Sequence, residues 1–116
     1  MSLQELEKLT IKLASDIKED TVQCLFESVR TRIDKYGRLV VQVLAHCSKY
    51  GKVIFNYSPQ KAKMLVDALK KLGIEDVVVA RCYELKRVDV EKVREDYTEP
   101  YPAWLPTRRI DCNYIE

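Results

Sequence analysis

Apolar and polar positions recur with two different periods along this chain, and the changes of period divide it into elements. Leu3, Leu6, Leu9 and Leu13 return near helical spacing. Ser2 with Glu5 ahead of them makes a capping box, so a helix is predicted over about residues 3–17. After Asp20 two periods compete. Val22, Leu25, Phe26, Val29 and Ile33 fit a helix, whereas the β-branched Val29, Thr31 and Ile33 alternating with arginines fit a strand. The alternation favours a strand at least from Ser28 to Ile33.

Two nearly identical tetrapeptides follow, Asp34-Lys35-Tyr36-Gly37 and Ser48-Lys49-Tyr50-Gly51. Each has Asp or Ser first and Gly fourth, as a type I turn followed by a left-handed glycine prefers. Read as hairpin turns they pair Asp34 with Arg38 and Ser48 with Lys52. That register puts Val29, Thr31, Ile33, Leu39, Val41, Val43, Ala45, Cys47, Val53, Phe55 and Tyr57 on one face of a three-stranded meander. The other face receives Arg30, Arg32, Val40, Gln42, Leu44, His46, Ile54 and Asn56.

Ser58 and Pro59 begin a second helix, its apolar stripe running through Ala62, Leu65, Val66, Leu69 and Leu72 before Gly73 ends it. The apolar run Val77 to Leu85 reads as a fourth strand, and Asp89 as the cap of a short helix through Glu95. From Tyr97 onward Pro100, Pro102 and Pro106 exclude regular helix and inner strand. The predicted fold class is α+β: an antiparallel β-meander of three to four strands packed on one face by helices. It forms a single domain over residues 1–96, followed by an extended Pro/aromatic C-terminal tail over 97–116.

Charge changes this picture most. The net charge is only +2, but residues 30–63 carry eight cations and one carboxylate, Asp34, and no carboxylate stands between Asp34 and Asp67. The cysteines (Cys24, Cys47, Cys82, Cys112) are scattered singly with no CxxC pair, which argues against a zinc site. Two disulfides would require a compartment other than the usual reducing one. No apolar run reaches membrane-spanning length and no signal-peptide core opens the chain, so the expected location is cytoplasmic, with no membrane partner.

A basic face set with aliphatic side chains suits single-stranded nucleic acid, which needs cations along its phosphates and apolar surface for unstacked bases. Arginine adds a planar group that stacks on bases while pairing with phosphate. The candidate nucleic-acid-binding residues are Arg30, Arg32, Lys35, Tyr36, Arg38, Gln42, Leu44, His46, Lys49, Tyr50, Lys52, Ile54 and Asn56. Neutralising about five phosphates gives a log–log salt slope near 3.5 in magnitude. The two Lys-Tyr-Gly turns lie at opposite ends of the strand between them, on the order of 30 Å apart, too far to clamp one nucleotide. Trp104 with Arg108 and Arg109 forms a further aromatic-plus-basic group, which more often packs over a core or a neighbouring subunit.

No catalytic constellation stands out. His46 is the only histidine, and on a strand it and Cys47 face opposite ways. A single-histidine nuclease is the weakest option. The expectation is a non-enzymatic binder of single-stranded DNA or RNA with no cofactor or metal. The rival is a protein-interaction or self-association module using the same face and the tail.

The order of parts resembles the single-stranded DNA-binding proteins of hyperthermophilic archaea known as the ThermoDBP and ThermoDBP-related group. These parts are an N-terminal helix, a basic and apolar antiparallel sheet, the Ser58-Pro59-Gln60 helix start and a further strand. The likeness is architectural, covers roughly residues 1–90, and transfers no residue by position. It implies a thermophilic archaeal source and a homo-oligomer, dimer or tetramer, that holds single strands in a cleft of mixed basic and apolar character.

Overall fold

The computed structural model describes residues 12–94 and 97–115. Its elements are β1 (Lys12–Leu13), β2 (Thr21–Ile33), β3 (Leu39–Cys47), β4 (Gly51–Tyr57), α1 (Pro59–Lys71), β5 (Arg81–Arg94) and β6 (Tyr97–Ile110). The six strands form one sheet in the order β1-β4-β3-β2-β5-β6. Only the β1–β4 pair is parallel. This corrects the expected fold class: a six-stranded mixed sheet with one α-helix among the described residues replaces a three-to-four-stranded antiparallel meander packed by helices.

The β2–β3–β4 meander is the middle of that sheet, and its first turn has the expected register. Asp34 N donates to Arg38 O at 2.8 Å, Ile33 faces Leu39, and Gly37 is left-handed. The second turn differs. His46, not Ser48, faces Lys52, and Lys49 is left-handed as well as Gly51. The pairing has moved by two residues along β4. Side chains alternate with period two, so an even shift leaves both faces as the sequence sorted them.

A bulge explains the ambiguity before Ser28. Phe26 pairs with Ala45 and Ser28 with Leu44, leaving Glu27 extra. One extra residue exchanges the faces, so Val22, Cys24 and Phe26 share the core side with Val29. In the sequence that exchange mimics a helical period. The whole stretch from Thr21 is strand.

The core lies between one sheet face and α1. Phe26, Val43, Ala45, Val53, Phe55, Tyr57, Tyr83 and Leu85 from the sheet meet Leu65 and Leu69 from the helix, all essentially inaccessible to solvent. Each large apolar side chain so buried contributes about 1.5–3 kcal/mol. The helix starts as its sequence dictates: Ser58 Oγ accepts from Lys61 N at 3.3 Å, with Pro59 in the first turn. Gly73, at φ +80°, ends it.

Tertiary pairing overrides local signals at both ends of the chain. Of the helix expected over residues 3–17, residues 3–11 lie outside the described residues. Lys12 and Leu13 instead pair with Val53 and Ile54, and Ala14–Asp16 make a 3-10 turn. That turn precedes Ile17, which is buried in the core.

The fourth strand starts later than expected. Val77–Ala80 carry the chain from the helix layer to the sheet, and Ala80 takes a left-handed conformation before its N–H donates to Phe26 O. The short helix expected from Asp89 is strand, because Val88, Asp89, Val90 and Glu91 alternate with period two and find a partner strand. That partner is the proline-containing stretch itself, which forms β6, an outer strand where missing N–H groups can be tolerated. Thr107 bulges there, and its hydroxyl donates to Glu84 O at 3.0 Å.

Two disulfides close the structure, Cys24–Cys47 across β2 and β3, and Cys82–Cys112 from β5 to the segment beyond β6. The first is buried in the core, while Cys112 is exposed.

Candidate nucleic-acid interface

The sheet face turned away from α1 carries the candidate side chains in cross-strand rows. Register places Arg32 beside Val40, Arg30 beside Gln42 and Asn56, Ser28 beside Leu44 and Ile54, and Leu25 beside His46 and Lys52. Seven predicted residues of the three strands (Arg30, Arg32, Gln42, Leu44, His46, Ile54, Asn56) share this face, and Lys52 joins them. The paired rows hold no carboxylate, but the exposed Glu27 stands in the bulge next to Ser28.

The middle row is linked by hydrogen bonds of fixed direction. Arg30 Nε donates to Gln42 Oε1 at 2.9 Å, and Gln42 Nε2 donates to Asn56 Oδ1 at 2.7 Å. Arginine can only donate, so it orients the Gln42 amide, and Gln42 in turn orients the Asn56 amide. Gln42 is 8% exposed, the one buried polar residue of the described sheet faces. Arg30 and Asn56 are exposed at either end. Arg30 Nη1 and Nη2 and Asn56 Nδ2 remain beyond the row's own bonds, and all of them are donors.

Beside this row lies a cavity of about 210 Å³ lined by Ser28, Arg30, Gln42, Leu44 and Ile54. Its floor is aliphatic and one wall is the Arg30–Gln42 pair. Ser28 was absent from the sequence candidates. The signal for it was the break in alternation after Phe26, which sets Ser28 on this face through the Glu27 bulge.

The β2–β3 hairpin projects beyond its neighbours. β5 pairs with β2 only from Thr21 to Phe26, and β4 pairs with β3 only as far as Val41. Arg30, Arg32, Lys35, Tyr36 and Arg38 all lie on this arm. Tyr36 is 70% exposed, with Lys35 Nζ 5.1 Å and Arg38 Cζ 5.3 Å from its ring centroid. Arg38 also pairs with Asp34 at 3.3 Å. The Asp34 carboxyl is held below its ordinary pKa, chiefly by the backbone N–H of Arg38, with a further backbone bond from Tyr36 and the Arg38 charge. Arg38 is therefore already engaged by Asp34, in an exposed pair that offsets its charge only in part.

Lys49 and Tyr50 are at the other end of β3, nine residues away, or roughly 30 Å at the strand rise. Tyr50 packs partly against the core and receives Lys12 Nζ at 5.5 Å from its ring centroid. These two residues do not join the cluster. Nor does Trp104, which is 3% exposed and meets Phe55 edge-on at 6.3 Å. Its carbonyl accepts the Tyr57 hydroxyl at 2.7 Å. Arg108 is occupied by Glu84 at 2.9 Å, a bond that lowers the Glu84 pKa and raises that of Arg108. Cys47, beside His46, is spent in a disulfide, so no thiol–imidazole pair is available here.

Among the described residues no group of three or more His, Cys, Asp or Glu could hold a metal ion, and no helix is long and apolar enough to cross a membrane. No family model matches the chain and no curated protein matches it in sequence.

Proposed function

We propose that this protein binds single-stranded nucleic acid, DNA in the first place, through the β2–β4 face turned away from α1, without catalysis and without a cofactor. The observation that carries the reading is the Arg30–Gln42–Asn56 row: an oriented set of donors, flanked by Arg32 and Lys52 and set beside the aliphatic Leu44 and Ile54. Phosphate wants the cations and unstacked bases want the aliphatic shelf. The projecting hairpin adds Lys35 and the exposed Tyr36 at the end of the same path.

Four cations, Arg30, Arg32, Lys35 and Lys52, are left for phosphates once Arg38 is assigned to Asp34 and Lys49 to the far turn. The salt slope for single strands is then about 2.8 in magnitude, below the value from sequence. Fluorescence anisotropy of a labelled oligo-dT across a salt series measures it. Binding that does not weaken with salt would sink the proposal. Trp104 is a core ring and reports folding, so the label belongs on the nucleic acid. A duplex of the same length, an RNA strand and an incubation with divalent metal scored for cleavage complete the test.

A second reading has one observation in its favour. From Ser28 to Ile33 the outer edge of β2 pairs with no strand among the described residues, and Ile33 and Leu39 are 61% and 49% exposed on the same arm. An open edge with exposed apolar side chains invites pairing with another chain. The homo-oligomer, dimer or tetramer, implied by the resemblance to the archaeal single-strand binders would use it. Light scattering with and without oligo-dT separates assembly from nucleic-acid binding. A cytoplasmic location fits two disulfides only in the interior of hyperthermophiles, where intracellular disulfides persist.

A further inference from the structure

We infer that the Cys82–Cys112 disulfide is a thiol–disulfide exchange site, and that a dithiol reductant, by opening it, releases the C-terminal segment from the candidate face and tightens binding there. The inference rests on the proposed single-strand binding and adds a regulation of that site.

Cys82 does not belong to the core side of the sheet. Strand pairing sets Lys52, His46, Leu25, Cys82 and Ile110 in one row across β4, β3, β2, β5 and β6. Paired residues share a face, so this row lies on the side turned away from α1. Cys82 is nevertheless only 1% exposed, and it stands outside the core cluster. Its cover comes from the other direction. Cys112 is bonded to it with the two Cα atoms 5.3 Å apart, which brings the segment after β6 onto the outer face. The candidate face is thus closed at its β5 flank by Asp111 and the 3-10 turn Cys112–Tyr114.

The disulfide is what ties this segment down. Among the described residues its hydrogen bonds run within it: Asn113 N and Nδ2 donate to the two Asp111 carboxylate oxygens at 3.0 and 3.3 Å, and Ile115 N donates to Cys112 O at 3.1 Å. None reaches the sheet. Asp111, Cys112 and Asn113 are exposed and Ile115 is half-buried. A short, exposed segment with no bonds to the sheet opens at little cost once its tether is cut.

The two disulfides differ in reach, since Cys24 and Cys47 are inaccessible in the core while Cys112 is exposed. A thiolate of the dithiol attacks the Cys112 sulfur, the S–S bond breaks, and Cys82 leaves with the electron pair and takes up a proton. The second thiol of the reductant then displaces Cys112 as a thiol. The protein gains two electrons and two protons, and the dithiol becomes a cyclic disulfide. Cys82 and Ile110 are then uncovered as an apolar strip continuing Leu25, and the Asp111 carboxylate leaves the path of the phosphates.

The test is anisotropy of labelled oligo-dT on the full chain, oxidised and after mild dithiothreitol treatment. Alkylation and mass spectrometry of a parallel sample identify the open pair, and circular dichroism follows the sheet. Opening Cys82–Cys112 is expected to tighten binding by about fivefold at low salt, the size of one like-charge contact removed in water. Cys112→Ser is expected to bind as the opened chain does and to ignore the dithiol. By reciprocity, saturating oligo-dT moves the redox equilibrium of the unaltered chain toward the dithiol by the same factor. Equal or weaker binding after opening, an equilibrium that oligo-dT does not move, opening of Cys24–Cys47 first, or loss of the sheet when Cys82–Cys112 opens each overturns the redox gate and leaves the single-strand reading standing. Failure to bind oligo-dT in either redox state at low salt overturns both.

Discussion

Replacing Arg30 and Arg32 together by glutamine removes half of the cations assigned to phosphate, and the consequence can be worked out before it is measured. With four cations, a fourfold rise in salt weakens oligo-dT binding by about 50-fold; with two, the same rise weakens it by about 7-fold, because the slope falls from about 2.8 to about 1.4. Both side chains are exposed and stand on a strand edge. Arg30 gives up one bond to Gln42, which a glutamine at position 30 can partly replace. Folding stability therefore changes by no more than about 1 kcal/mol. The assay is anisotropy of labelled oligo-dT at five or so salt concentrations, with a urea melt to confirm the fold. If the double variant keeps the parent's slope, these arginines do not touch phosphate and the assignment of the face is wrong. Lys70→Gln with Lys71→Gln, a control on the far end of α1, is expected to leave the slope unchanged.

Other perturbations follow from the same structure. Tyr57→Phe removes the buried hydroxyl that donates to Trp104 O, leaves that carbonyl without its partner, and is expected to cost about 1–3 kcal/mol in denaturant titration, with no change in oligo-dT affinity. Burial also raises the Tyr57 hydroxyl well above the ordinary tyrosine range, so absorbance titration of the folded protein should show this tyrosine silent until the chain unfolds in base. Asp34 has a folded pKa below its ordinary 3.8. Its stabilising contribution is present above that ordinary value and is lost as the pH falls through the depressed one, so amide exchange at Tyr36 and Arg38 should quicken only in that acid window, and Asp34→Asn should abolish the change. Mild reductant followed by alkylation and mass spectrometry should open Cys82–Cys112 before Cys24–Cys47, because Cys112 is exposed and the other pair is buried. Loss of either bridge is expected to cost about 2–4 kcal/mol. Labelling of both pairs at equal rates would contradict this burial argument.

The parts of the candidate face written in the sequence are those set by local chemistry. Gly37, Gly51 and Gly73 stand at positive φ where the turn and helix-end patterns placed them, Ser58 caps α1, and period-two alternation sorts β2, β3 and β4 into a core face and a basic face. The acid-free stretch from Lys35 to Val66 is likewise plain in the residues. That sorting survived a two-residue error in the second turn because parity, not register, decides which way a side chain points.

What only tertiary structure decided depends on partners remote in the chain. Lys12 and Leu13 are strand because β4 offers an unpaired edge. The segment after Asp89 is strand because β6 lies beside it, against a capping signal worth about 1 kcal/mol. Trp104 looks like a binding aromatic in isolation, yet Phe55 and Tyr57 claim it for the core. The four scattered cysteines acquire partners only when β2 meets β3 and the last segment returns to β5. The direction of the Arg30–Gln42–Asn56 row arises in the same way. Sequence supplies three polar side chains; strand pairing lines them up, and arginine's lack of any acceptor then fixes which end of each amide faces outward.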